Sequence, residues 1–199
     1  MRLQWPPLLA GFLLLSFPGT LGEARPGLVP RLEPGDILLR RGRSLVSSAV
    51  LQAAPDSAYS HAGIVVGENG HFLVVEADPE AGSRAGGVVT TPVEQFLSQA
   101  NTAAWKLLRF RAADRAIPRA AARAALAYAG RPFDGAFRLD SDDSLYCTEL
   151  VWRSYLAAGV NLLTQPPRSV QFGLLRLEII APGDLERSPR LAAVLAAGQ

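Results

Sequence analysis

The sequence predicts an α+β fold: an antiparallel sheet packed against the one helix that carries the cysteine. Two stretches predict it. From Ser60 to Ala77, two apolar, β-branched runs flank Gly67-Glu68-Asn69-Gly70, a strong hairpin signal. From Cys147 onward, Leu150, Val151, Tyr155 and Ala158 recur at helical spacing and end near Gly159, after the N-cap types Asp142, Asp143 and Ser144. Composition supplies the third observation. Hydrophobic residues make up 49% of the chain and net charge is +2, which fits a globular protein rather than a disordered one.

The hairpin brings two polar residues to one face. If the loop is four residues, Val66 pairs with His71 and His61 stands opposite Glu76. If the turn is the two-residue Asn69-Gly70 type, the register moves by two and they become diagonal neighbours. Both cases keep them on the same face. Directly opposed Cβ atoms lie roughly 4.5–5.5 Å apart, where a carboxylate orients an imidazole and favours its charged form. The competing reading is an ordinary cross-strand pair at a sheet end.

Cys147 falls in the first turn of its helix, on the inward face. There the helix dipole and free N–H groups stabilise a thiolate. Asp142 and Asp143 oppose that, which makes a neighbouring base more important. The competing reading is a small buried hydrophobe.

Five motifs occur in order: Gly35-Asp36-Ile37-Leu38, Ser60-His61-Ala62-Gly63-Ile64-Val65, Val75-Glu76-Ala77, Arg131-Pro132-Phe133-Asp134 and Tyr146-Cys147-Thr148-Glu149-Leu150-Val151. In this the chain resembles the YiiX/YebB-like group of circularly permuted papain-like hydrolases, relatives of the NlpC-type cell-wall peptidases. The resemblance runs from about Pro34 to about Asp184. In ordinary papain-like enzymes the Cys precedes the His; in the permuted group the His comes first, as here. The resemblance implies a permuted papain-like fold, with Cys147, His61 and Glu76 as the catalytic Cys, His and third polar residue. Phe133 stands where many relatives carry Tyr. The Tyr146-Cys147-Thr148-Glu149 box differs from the Asn-Cys-Glu-His type of the lecithin:retinol acyltransferase-like group, which argues against close kinship with lipid acyltransferases.

Residues 1–22 read as a secretory signal. Arg2 gives a thin basic start, Pro7 to Phe17 a Leu-rich apolar region too short for a comfortable membrane span, and Thr20 and Gly22 the small residues before cleavage. An uncleaved N-terminal anchor is the rival. Residues 23–199 then form one hydrolase domain, exported to the periplasm or outside the cell, with no transmembrane segment in the mature chain. A lone thiol there pairs between molecules, is buried and inert, or is a reactive nucleophile.

The remaining elements follow in order. Asp36 to Arg40 is a strand, and Arg43 to Ala54 a helix ended by Pro55. The loop to Ser60 offers Tyr59 and Ser60 as cleft or oxyanion candidates, with ordinary loop roles as the alternative; Tyr146, beside the cysteine, is a third. Asp78 to Gly87 is a Gly-rich loop that follows Glu76 and does not match a phosphate-binding pattern. Val88 to Thr90 is a strand. Thr91-Pro92-Val93-Glu94 reads as a capping box opening a helix to about Ala100. Trp105 to Phe110 is a strand. A helix starting between Asp114 and Pro118 runs to about Ala129, with Gly130 as its stop. Arg131 to Asp143 is irregular; Asp134, Asp140, Asp142 and Asp143 do not fit an EF-hand loop and read as caps and turns. Leu175 to Ile180 is a strand, Pro182 to Leu185 a turn, and Arg190 to Leu195 a terminal helix. His71 belongs to the hairpin turn, away from the cleft.

The function this predicts is thiol hydrolysis of an amide by Cys147 with His61 as base. The expected partner is an amide-containing small molecule or peptide, cell-wall peptides among them. Neither a cofactor nor a metal is expected: one Cys and two His are too few for a zinc site. Nucleic acid is not expected, because no basic block or helix face exists. The rivals are a lipid-directed acyl hydrolase or acyltransferase of the same superfamily, a binding module without turnover, and a thiol redox protein.

Overall fold

The architecture follows from the burial of three central strands on both faces. The structure is a computed structural model that describes residues 31–81, 86–140, 143–172 and 175–198. In chain order the elements are β1 (Ile37–Gly42), α1 (Leu45–Ala53), β2 (His61–Glu68), β3 (His71–Asp78), β4 (Gly87–Pro92), α2 (Val93–Phe96) and β5 (Thr102–Phe110). Then come α3 (Ala116–Ala127), α4 (Cys147–Ala157), β6 (Arg168–Phe172), β7 (Leu175–Ile179), α5 (Pro182–Glu186) and β8 (Leu191–Ala197). Six strands form one antiparallel sheet in the order β4-β3-β2-β1-β5-β8, and β6 and β7 pair separately. The fold is α+β, with an antiparallel sheet packed against the helix that carries the cysteine, as the sequence predicts.

Period-two alternation splits the sheet's apolar residues between two cores. Ile37, Leu39, Ala62, Ile64 and Val75 meet Ala121 and Ala125 of α3 and Leu150, Val151 and Tyr155 of α4. Leu38, Val65, Val74, Trp105 and Leu107 meet Val93 and Phe96 of α2 on the other face. Tyr155 anchors α4, donating its hydroxyl to the Gly35 carbonyl at 2.7 Å and packing its ring 5.6 Å from that of Phe110. Asp36 ties β1 to β5 by accepting from Arg109 Nε and Nη2, both at 2.7 Å.

The hairpin uses the two-residue turn. Asn69 and Gly70 both have positive φ, 56° and 83°, as a type I′ turn requires. Glu68 pairs with His71 and Gly63 with Glu76, so His61 and Glu76 are diagonal. Gly67, at φ 106°, lies just before the turn, and a Cβ there would sit 2.0 Å from the His71 carbonyl oxygen. Gly67→Ala is therefore expected to destabilise by about 2–3 kcal/mol, against about 1 kcal/mol for Gly70→Ala, whose Cβ meets nothing within 4 Å. Denaturant titration of the two variants checks this; equal losses would refute the steric account.

Four expectations need correction. Arg190 to Leu195 is not helical: Leu191–Ala197 is edge strand β8, because its alternating half-buried residues pair with β5. Thr91 does not cap a helix to Ala100; it pairs with Val74 in the sheet, and α2 is one turn long with Pro92 before it. The cysteine helix is not capped by Asp143 or Ser144, since Leu145 bridges Phe133 and keeps the chain extended up to the N-cap Tyr146. Asp142 lies outside the described residues. Pro182–Glu186 is a short helix rather than a turn, with Asp184 Oδ2 accepting from the Ala181 N–H at 2.7 Å. β6 was not foreseen. The leader, residues 1–22, lies outside the described residues; among those described, no helix is long and apolar enough to cross a membrane.

Candidate active site

The site lies where the start of β2, the middle of β3 and the start of α4 meet. His61 is the first residue of β2 and pairs with Arg40 of β1. Glu76 pairs with Gly63, where a Cβ would sit 2.3 Å from Val74 Cγ1 and 3.4 Å from the Phe96 ring. His61 Nε2 and Glu76 Oε2 are 2.6 Å apart, with His61 8% and Glu76 2% exposed. Glu76 also accepts from the Thr91 hydroxyl and lies 3.5 Å from Arg40 Nη2. Phe96 stacks obliquely on His61, ring centroids 5.6 Å apart.

Cys147 opens α4, and its two neighbours hold both backbone polar groups of one residue, Ile180. Tyr146 Oη accepts from the Ile180 N–H at 2.9 Å, and Thr148 Oγ1 donates to the Ile180 carbonyl at 2.5 Å. His61 and the backbone N–H groups of Ala62 and Thr148 favour the charged form of the Cys147 sulfur. With Nε2 taken by Glu76, Nδ1 is the imidazole nitrogen left for the thiol.

The electrostatics follow from these contacts. Burial pushes the Cys147 thiol up, but the His61 charge and hydrogen bond and the two backbone N–H groups outweigh it and lower its pKa. Burial pushes His61 down, and the charges and hydrogen bonds of Cys147 and then Glu76 reverse this, raising it to about 9. Burial pushes Glu76 up; His61, Thr91 and Arg40 hold it below its ordinary value. The helix N-terminus adds to the thiolate's stabilisation. Both directions favour an imidazolium beside a thiolate over the neutral pair.

A cleft of about 290 Å³ opens beside His61, lined by Arg40, Arg43, Ser60, Asp78 and Asn101 among others. Of the three further cleft candidates, Ser60 lines it, with its Oγ accepting from the Gly42 N–H at 2.9 Å. Tyr59 does not: it packs in the helix-side core with its ring 5.6 Å from Lys106 Nζ. Tyr146 does not either, being 2% exposed and bound to Ile180, and burial pushes its hydroxyl pKa up. Arg40 and Thr91 were missed. Strand alternation puts Arg40 on the face of Leu38, but only the β1–β2 register reveals that it stands opposite His61.

The matched family model covers residues 31–195 and describes the permuted papain-like amidase enzymes, YaeF/YiiX, C92 family. The chain belongs to this family. It is 32% identical over 124 residues to the uncharacterised protein YiiX of Escherichia coli strain K12, a match over 62% of this chain and 57% of that protein. It also resembles a crystal structure of YiiX from Escherichia coli O157:H7, described as a metalloprotein, with TM-score 0.71, 26% identity, and coverage of 84% of this chain and 98% of that one. In this chain, among the described residues, no group of three or more His, Cys, Asp or Glu side chains is placed to hold a metal ion. His61 Nε2 is committed to Glu76, which leaves two donors where a catalytic zinc takes three protein ligands. Among the described residues, this site does not fit a catalytic zinc ion.

Proposed function

We propose that this protein is an exported thiol hydrolase that cleaves an amide in a peptide or peptide-like substrate, cell-wall peptides included. The observation that carries the reading is the 2.6 Å His61–Glu76 contact beside a thiol whose pKa is lowered by His61. The Cys147 thiolate attacks the amide carbonyl carbon. The oxyanion accepts from the Cys147 backbone N–H, which at the first helical position has no intrahelical partner. The His61 imidazolium gives its proton to the departing amine nitrogen as the C–N bond breaks. A water then attacks the thioester, His61 takes its proton, and the carboxylic acid leaves as the thiolate is restored. Glu76 keeps the imidazole oriented and stabilises its cation.

The polar lining of the cleft supports polar amides over acyl chains as substrates. A panel of matched peptide amides and fatty-acyl esters tests this. Amide turnover abolished by thiol alkylation is the expected result; turnover of acyl esters alone would establish the lipid-directed reading instead.

A further inference from the structure

We propose that Arg40 is a positioning residue for the catalytic pair, keeping Glu76 ionised and aimed at His61 Nε2 while the imidazole gains and loses its proton. This rests on the thiol hydrolase reading above. Arg40 pairs directly with His61 across β1 and β2, so their side chains share one face. Its Nη2 lies 3.5 Å from Glu76 Oε2, the same oxygen that meets His61. The guanidinium carbon stands 4.7 Å over the Phe96 ring, and Nη1 is 3.5 Å from the Phe96 carbonyl oxygen. Its Nε is buried without a hydrogen-bond partner. The cation, 15% exposed, is held by strand register, the Phe96 ring and carbonyl, and the Glu76 carboxylate.

The physical need is specific. A proton between a buried carboxylate and an imidazole can settle on either. Burial favours the neutral pair, a carboxylic acid beside a neutral imidazole, which neither stabilises a thiolate nor protonates an amine. A permanent cation beside the shared oxygen disfavours that state, and an arginine does not lose its charge at working pH. Thr91 adds a neutral donor from β4, and Cys147 faces the pair from α4. The remaining charges at the cleft are Arg43 from beyond β1, and Asp78 and Glu80 at and beyond the end of β3.

The test is the rate of Cys147 alkylation by iodoacetamide from pH 4.5 to 9, in the full chain and in Arg40→Met, Arg40→Gln and Arg40→Lys. Without the cation, the acid limb moves up by about one pH unit. The neutral variants then react about tenfold more slowly than wild type at pH 5.5 and within about threefold of it at pH 8.5. Arg40→Lys keeps the wild-type limb. A limb unmoved in Met and Gln, or a uniform loss at every pH, overturns the inference. So does failure of both neutral variants to fold, which would make Arg40 a structural residue. A wild-type thiol inert below pH 7 would instead overturn the hydrolase reading itself.

Discussion

His61→Ala is expected to lower amide hydrolysis by at least about a thousandfold and to move the alkylation midpoint of Cys147 toward the free-thiol value of about 8.5. Two losses combine. The imidazolium that lowers the thiol's pKa disappears, while the burial that raises it stays. The leaving amine also loses its proton donor, so residual thiolate formed at high pH does not restore turnover. Cys147→Ala should abolish hydrolysis altogether. Glu76→Gln should fall between wild type and His61→Ala, because its amide still bonds His61 without stabilising its charge. Amide turnover against pH in all four proteins, and alkylation against pH in the three that keep Cys147, check this. A His61→Ala profile superimposed on wild type would remove His61 from the mechanism and favour a binding module.

The site was more legible than the edges of the fold. Period-two alternation puts His61 and Glu76 on one face for either a two-residue or a four-residue loop, so the pair does not depend on which of the two forms. Cys147 was legible because helical spacing continued from it. What escaped depended on partners distant in sequence. Leu191–Ala197 carries alanines and leucines that suit a helix, and becomes a strand only because β5 offers a free edge. Thr91 has the residue type of an N-cap, yet the sheet takes its backbone and Glu76 its hydroxyl. Arg40 looked like one of several arginines near a strand end. Its meaning lies in a pairing with His61, 21 positions away, that no local pattern encodes.

The largest stability effect is expected at Glu149. It is fully buried in the first turn of α4, accepting from Arg153 Nε at 2.8 Å and from the Tyr146 N–H at 3.4 Å. Arg153 in turn donates to the Leu139 carbonyl at 3.0 Å, so the pair fastens the cysteine helix to the irregular stretch before it. Burial raises Glu149 to about 7, against the lowering by Arg153 and the Tyr146 N–H. Its folded pKa thus exceeds its unfolded one. Between about pH 4.5 and 7 the folded state holds the extra proton, so this group's stabilisation is full below that window and lost as pH rises through it. Glu149→Gln keeps the shape and a hydrogen bond but cannot ionise. Its stability relative to wild type should therefore rise by up to about 3 kcal/mol between pH 4.5 and 7.5. Taking the difference between the two proteins cancels the His61–Cys147 pair, which titrates in both. Urea unfolding at several pH values gives the comparison. Parallel stability curves would mean that Arg153 holds Glu149 ionised throughout, and that the cysteine helix is fastened by a permanent ion pair.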